Sequence, residues 1–382
     1  MRIILIIALA LGLAGQSVAQ GFGSKARALY VLDETSDTVL LSKNSDEPYP
    51  PASMSKLMTL YMLFEALQEG RLGLTTQFPV SEKAWKMGGS KMFLKAGDTV
   101  SVEDLIRGII IQSGNDACVV VAEGLAGSET EFAGRMTKRA RELGLTNSVF
   151  ANSSGWPHPD HRMSAHDLAA LATIIIRQFP EYYGYFAETV FEWEGIEQQN
   201  RNPLLLLDIG ADGLKTGHTE ESGYGLVGSA IQDGRRVVFV IMGLSSVRER
   251  SEESQRLTGW AFREFTPQTL FKAEDEIGRA EVWLGSNDTV GLVSDTDLNV
   301  LIPYAERRDI TAEIRYRGPI AAPISKGDVM ADLVIKIPSL SDQHFPLFAA
   351  EDVAKGGFLN RMIASGQLLS QEIIGLATSN AQ

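Results

Sequence analysis

The chain has 382 residues, with 48 acidic and 35 basic side chains and a formal net charge of −13. That length holds two domains and a sizeable core. So acidic a surface repels the phosphate backbone, which argues against nucleic acid as a partner.

Arg2 precedes an apolar run from Ile3 to Leu13, and then comes Gly15-Gln16-Ser17-Val18-Ala19. A basic start, a short apolar segment and a small-residue ending predict a secretory signal peptide over 1–19, cleaved after Ala19. The run is shorter than the roughly 20 residues a bilayer needs. The mature protein is therefore expected outside the cytoplasm. Cys118 is the only cysteine, so no intramolecular disulfide exists. It lies in the apolar stretch Ala117-Cys118-Val119-Val120-Val121 and reads as a packing residue.

Ala26 to Asp33 and Thr38 to Ser42 read as a hairpin across the turn residues 34–37. Pro50-Pro51 then stops the chain, and a run of helix formers extends to about Leu67 before Gly70. Ser53 falls in the first turn of this helix. Lys56, three residues on, shares its face. A serine hydroxyl is a poor nucleophile until a base takes its proton, and a neutral lysine amine beside it supplies one. The helix N-terminus favours the alkoxide over the ammonium. Read plainly instead, Ser53 caps the helix and Lys56 is a solvated first-turn lysine.

Gly88 to Asp98 reads as loop. Val102 to Ile111 is apolar and ends at Gln112-Ser113-Gly114-Asn115-Asp116, where a second helix begins and runs to Leu125. Ser128 with Glu131 is a capping box for a third, ending near Gly144. Phe150 to Met163 is loop, and Ser164 caps a helix to about Gln178. His166, in its first turn, reads as structural. His158, Asp160 and His161 have no further ligand cluster to make a metal site. From Gly210 to Ser245, Lys215-Thr216-Gly217-His218-Thr219 and Gly223 to Val227 predict antiparallel strands, with a turn at Asp233-Gly234. An amphipathic helix carrying Leu257, Trp260, Phe262 and Phe265 follows.

Past Thr266 the helical period gives way to short β-like runs at Ala280–Leu284, Leu298–Ile302, Ile310–Tyr316 and Val329–Ile337. The expected division is 1–19 leader, 20–272 first domain, 273–350 a small all-β domain and 351–382 an amphipathic tail. That tail suits either a membrane surface or packing on the protein.

Three blocks stand in order: Ser53-x-x-Lys56, Ser113-Gly114-Asn115 and Lys215-Thr216-Gly217. One alone is weak, but three on a helix start, a helix junction and a strand are specific. Over nearly the whole mature chain the sequence resembles the low-molecular-mass penicillin-binding proteins, the serine-type D-alanyl-D-alanine carboxypeptidases. The resemblance implies an α/β (α+β) penicillin-binding, β-lactamase-like transpeptidase domain, a helical cluster beside an antiparallel sheet, with a small all-β domain after it. It implies a periplasmic enzyme that acts on peptidoglycan stem peptides ending in D-Ala-D-Ala, in cell-wall biogenesis, and that β-lactams inhibit. It further implies that Ser53 is the nucleophile, Lys56 its base, Ser113 a proton relay, and Asn115 the residue orienting Lys56 and the substrate amide. Lys215 is expected to set the electrostatics around Ser113, and the backbone N–H groups of Ser53 and His218 to form the oxyanion hole.

Independently, a strand edge at 215–219 can pair with an extended peptide, and Gly217 permits close approach. Two lysines brought together lower each other's proton affinity. The substrate's free carboxylate needs a cation: the resemblance implies Arg250, which matches the family's arginine ahead of the Glu-Ser…Leu…Trp helix pattern, with Thr216 and Thr219 helping, and Arg248 is its rival. No metal or organic cofactor is implied. A β-lactamase-like hydrolase is the nearest alternative. The deacylating glutamate it needs has only Glu142-Leu143-Gly144-Leu145-Thr146 as a counterpart, which predicts slow penicillin hydrolysis. A non-catalytic cell-wall sensor on the same fold is the remaining one.

Overall fold

The structure is a computed structural model that describes residues 22–357 and the backbone of 2–8. The chain divides into two compact units, Gln20–Arg263 and a second that begins at Glu264 and includes the N-terminal strand.

In the first unit, five antiparallel strands form one sheet: β1 (Ala28–Asp33), β2 (Thr38–Lys43), β3 (Ala211–Thr219), β4 (Gly223–Gln232) and β5 (Arg235–Leu244). Their spatial order is β2-β1-β5-β4-β3, so β3 is an edge with one side unpaired in the sheet. The β3–β4 register sets His218 opposite Tyr224 and Gly217 opposite Gly225.

The helices are α1 (Lys56–Gln68), α2 (Val102–Ile110), α3 (Asn115–Ala126), α4 (Glu129–Glu142), α5 (Ala165–Gln178) and α6 (Val247–Glu264). α1 is buried almost all round, through Leu57, Met58, Leu60, Leu63 and Phe64 among others, which marks the central helix of a cluster. The expected caps form: the hydroxyls of Ser128 and Ser164 accept from the N–H groups of Glu131 and Asp167. Gly127 ends α3 at φ +75°, the left-handed cap position that suits glycine.

The second unit is all-β among its described residues, apart from a short turn of 3₁₀ helix at Tyr304–Glu306. Ala312, Ile314 and Tyr316 are buried while Thr311 and Arg317 are exposed, the alternation expected of a half-buried strand. The unit starts earlier than the expected 273. Phe265, expected as the last apolar residue of the helix, opens a strand Phe265–Phe271 that pairs with Leu298–Pro303. Its partner lies far along the chain, so the change carries no local signal. Strands Thr289–Val293 and Gln343–Ala349 were also not foreseen. Arg2–Ala8, within the expected leader, runs antiparallel to Thr311–Arg317. The expected amphipathic tail, from Phe358 onward, lies outside the described residues.

Candidate active site

Ser53 sits in a single turn of 3₁₀ helix, Ala52–Ser55, that runs directly into α1. The tightened entry holds Ser53 and Lys56 on one face, and Lys56 Nζ lies 2.8 Å from Ser53 Oγ. The amine also donates to Asn115 Oδ1 at 2.8 Å and to the Ser154 carbonyl at 2.6 Å. Lys56 is fully buried with no carboxylate partner among these contacts. Burial, more than any neighbouring charge, pushes its ammonium down to about 8.

Two residues of the second block come from the junction between α2 and α3. Ser113 takes a left-handed backbone conformation at φ +59°, and its Oγ accepts from Lys215 Nζ at 3.0 Å. Asn115 opens α3. Its Nδ2 donates to the Gly88 carbonyl at 2.8 Å while Oδ1 serves Lys56, so both ends of the amide are engaged. Behind it, the buried Asp116 carboxylate accepts from the N–H groups of Met92 and Leu94, fixing the glycine-punctuated loop.

The third block lies on the edge strand β3. Lys215 is buried and held well below its ordinary range, by burial first and then by Lys56, Arg201 and Arg250. Gly217 is pressed against the turn that carries Ser53. A Cβ there would stand 2.9 Å from the Pro51 carbonyl and 3.2 Å from Met54 N. Only glycine lets the strand approach the Ser53 turn this closely.

These elements enclose a cavity of about 450 Å³ lined by Ser53, Ser113, Thr216, Gly217, His218 and Arg250, and also by Ser90, Arg201, Tyr224 and Val247. The two arginines differ in where they lie. Arg248 is exposed and paired with Glu252. Arg250 is buried on the cavity wall, and Arg201 stands beside it as a cation that the sequence reading missed. Arg250 donates to the Arg201 carbonyl at 3.2 Å, and Arg201 donates to Ser90 Oγ and the Gln112 carbonyl. Among the described residues neither has a carboxylate within ion-pair distance, which leaves the buried Arg250 guanidinium and the exposed Arg201 facing the cavity.

Thr219 departs from expectation. Its Oγ1 is tied to Ser222 Oγ at 2.7 Å, and it does not line the cavity, because the strand has already begun its turn. Glu142 ends α4 in ion pairs with Lys138 and Arg139, away from the cavity. His166 stands beside Asp46 and Tyr30, also away from it. His161 is buried against Phe150, where burial lowers it to about 4 and keeps it neutral.

The D-alanyl-D-alanine carboxypeptidase family of serine peptidases (S11) matches residues 16–246. The chain belongs to this family. It is a serine-type D-alanyl-D-alanine carboxypeptidase. Residues 265–355 match the C-terminal domain of penicillin-binding protein 5. The D-alanyl-D-alanine carboxypeptidase DacC of Escherichia coli is 37% identical over 91% of this chain and 89% of its own length. Among solved structures, penicillin-binding protein 5 of Haemophilus influenzae superposes with a TM-score of 0.75 at 34% identity, covering 88% of this chain and all of that one. The carboxypeptidase DacD of Francisella tularensis gives 0.78 at 27% identity, over 90% and 97%.

Proposed function

We propose that Ser53 of this carboxypeptidase forms the acyl-enzyme and that the residues gathered around it divide the work as follows. The observation that carries the reading is the buried Lys56 amine 2.8 Å from Ser53 Oγ, with its ammonium lowered to about 8. Neutral Lys56 takes the hydroxyl proton as Ser53 Oγ bonds to the penultimate carbonyl carbon of a D-Ala-D-Ala stem peptide. The backbone N–H groups of Ser53 and His218 hold the oxyanion. As the peptide bond breaks, the leaving nitrogen takes the proton through Ser113 Oγ, which Lys215 fixes at 3.0 Å. D-alanine departs. Water then attacks the Ser53 ester, giving its proton to Lys56, and the shortened peptide leaves with Ser53 restored.

The substrate lies extended along the open edge of β3, where Thr216 and Gly217 line the cavity. Its terminal carboxylate meets Arg250, with Arg201 adjoining. A β-lactam follows the same acylation, but its ring opens and no group departs. No carboxylate is among the cavity's lining residues, so the penicilloyl ester has no acidic side chain to activate water and turns over slowly.

The leader supports export to the periplasm, with cleavage after Ala19 that also removes Arg2–Ala8. No helix of the described residues is long and apolar enough to cross a membrane. Contact with the membrane surface rests on the tail after Gly357, and cell fractionation of tailed and tail-less protein tests it. For the activity, the mature protein releases D-alanine from diacetyl-L-Lys-D-Ala-D-Ala, and Ser53→Ala does not. Release by the alanine variant at the wild-type rate would overturn the assignment of the nucleophile.

A further inference from the structure

Lys56 Nζ has three polar partners: Ser53 Oγ, Asn115 Oδ1 and the Ser154 carbonyl. The two carbonyl oxygens only accept hydrogen bonds, and of the three only the hydroxyl can donate. A neutral amine carries two N–H bonds and one lone pair. With both N–H bonds committed to the carbonyls, the lone pair faces the Ser53 hydroxyl. Removing either carbonyl frees the amine to rotate out of that alignment.

One carbonyl belongs to the Asn115 side chain. The other is backbone, and its direction depends on what holds the loop at 152–156. Four of the loop's backbone groups are taken by one side chain. Asn152 Oδ1 accepts from the N–H groups of Ser154, Gly155 and Trp156 at 3.2, 2.8 and 3.0 Å. Asn152 Nδ2 donates to the Trp156 carbonyl at 2.9 Å. The loop is tied down from below as well: Thr59 Oγ1, one turn along α1 from Lys56, donates to the Ser153 carbonyl at 2.6 Å.

The second carbonyl traces to the same side chain. The Trp156 indole, whose backbone Asn152 holds at both N and O, lies on Gly88 and Gly89. A Cβ on either glycine would stand 3.1 or 2.9 Å from the ring. The Gly88 carbonyl in turn takes Asn115 Nδ2, which fixes the direction of Oδ1.

We propose that Asn152 is a positioning residue for the acylation step, one that aims both carbonyl partners of Lys56 so that the amine's lone pair faces Ser53. The proposal rests on the reading of Lys56 as the base. Asn152 touches neither Ser53 nor Lys56 in these contacts, so its effect falls on the acylation rate constant and not on ligand capture.

The test is stopped-flow acylation by a fluorescent penicillin between pH 6 and 10, resolving the noncovalent dissociation constant from the acylation rate constant. Active sites are titrated in parallel. Lys215, Arg201, Asp116, Cys118 and His161 also act on the charge near Lys56 and are unchanged in every variant. Asn152→Ala is expected to lower the acylation rate constant by about 10- to 100-fold, as for an angstrom-scale misplacement of a reacting group. The noncovalent constant stays within about twofold and the titrated sites stay full. Asn152→Asp keeps the three-fold acceptor that holds the Ser154 turn, loses the Nδ2 donor to the Trp156 carbonyl, and adds a carboxylate that favours the ammonium. It recovers acylation in part at high pH, above the alanine variant and below wild type, with its ascending limb moved to higher pH.

An Asn152→Ala rate constant within twofold of wild type, or a loss explained entirely by missing active sites, overturns the proposal. So does an Asn152→Asp limb that stays in place or moves down, and that variant decides alone if the alanine variant fails to fold. Lys56→Ala separates the two levels. If it acylates like wild type, the base assignment falls and the inference with it. If it is inert while Asn152→Ala is normal, only the inference falls.

Discussion

Gly155 gives the sharpest structural prediction. Its φ is +78°, and a Cβ would stand 1.9 Å from the Ala52 carbonyl oxygen and 2.6 Å from Ser55 Oγ. Gly127, at φ +75°, has no atom within 4 Å of the same position. The pair separates backbone strain from contact. Gly127→Ala incurs only the left-handed penalty, about 1–2 kcal/mol. Gly155→Ala incurs that and a collision that nothing short of moving the Ala52 carbonyl relieves, adding about 1–3 kcal/mol for overpacking. Because Ala52 precedes Ser53 directly, the movement reaches the nucleophile. A shift of about 1 Å is expected to slow acylation roughly 100-fold. Urea unfolding followed by tryptophan fluorescence reads the stabilities, since Trp85, Trp156, Trp193 and Trp260 all lie in the first unit. A β-lactam acylation assay reads the rate. If Gly155→Ala loses no more stability than Gly127→Ala and acylates normally, the loop is not seated beneath the Ser53 turn as described.

With Lys56 as the proposed base, acylation is expected to climb with pH through a midpoint near 8 as the amine becomes neutral. A flat profile from pH 6 to 10, measured with a fluorescent penicillin, contradicts this. Arg250→Ala is expected to cost about 100-fold or more in kcat/KM for diacetyl-L-Lys-D-Ala-D-Ala, while Arg248→Ala stays within about twofold, because only the first is a desolvated cation on the cavity wall. Equal losses in the two variants refute the assignment. Asp116→Asn weakens the charge-assisted acceptor for Met92 and Leu94 N–H and is expected to destabilise the first unit by about 1–3 kcal/mol in the same urea assay. An unchanged midpoint would mean the loop at 88–98 is held otherwise.

The parts of this site that were legible in the sequence are those made by side chains on regular elements. Ser53 and Lys56 are read from helical spacing after two prolines, and Ser113 and Asn115 from a junction between two helical patterns. Lys215 to His218 are read from strand periodicity. The helix caps at Ser128 and Ser164 follow from chemistry local in sequence. What escaped notice was non-local or made of backbone. The Ser154 carbonyl has no side-chain signature, and Asn152 sat in a stretch read only as loop. Arg201 lies in a polar segment without periodicity, and the cavity selects it only once β3 and α6 are in place. Thr219 looked like part of its strand's binding edge, yet a local turn with Ser222 claims its hydroxyl. The second unit begins at Glu264 and not at 273, because Phe265–Phe271 finds its partner at Leu298–Pro303, a pairing no window of sequence displays.

The central claim is that Ser53 is the residue acylated. Intact-mass spectrometry of the mature protein after incubation with benzylpenicillin tests it most directly. One adduct of the whole drug is expected on the wild type, persisting for minutes or longer, and none on Ser53→Ala. A wild type that takes up no adduct, or an alanine variant that takes one up as readily, would contradict it.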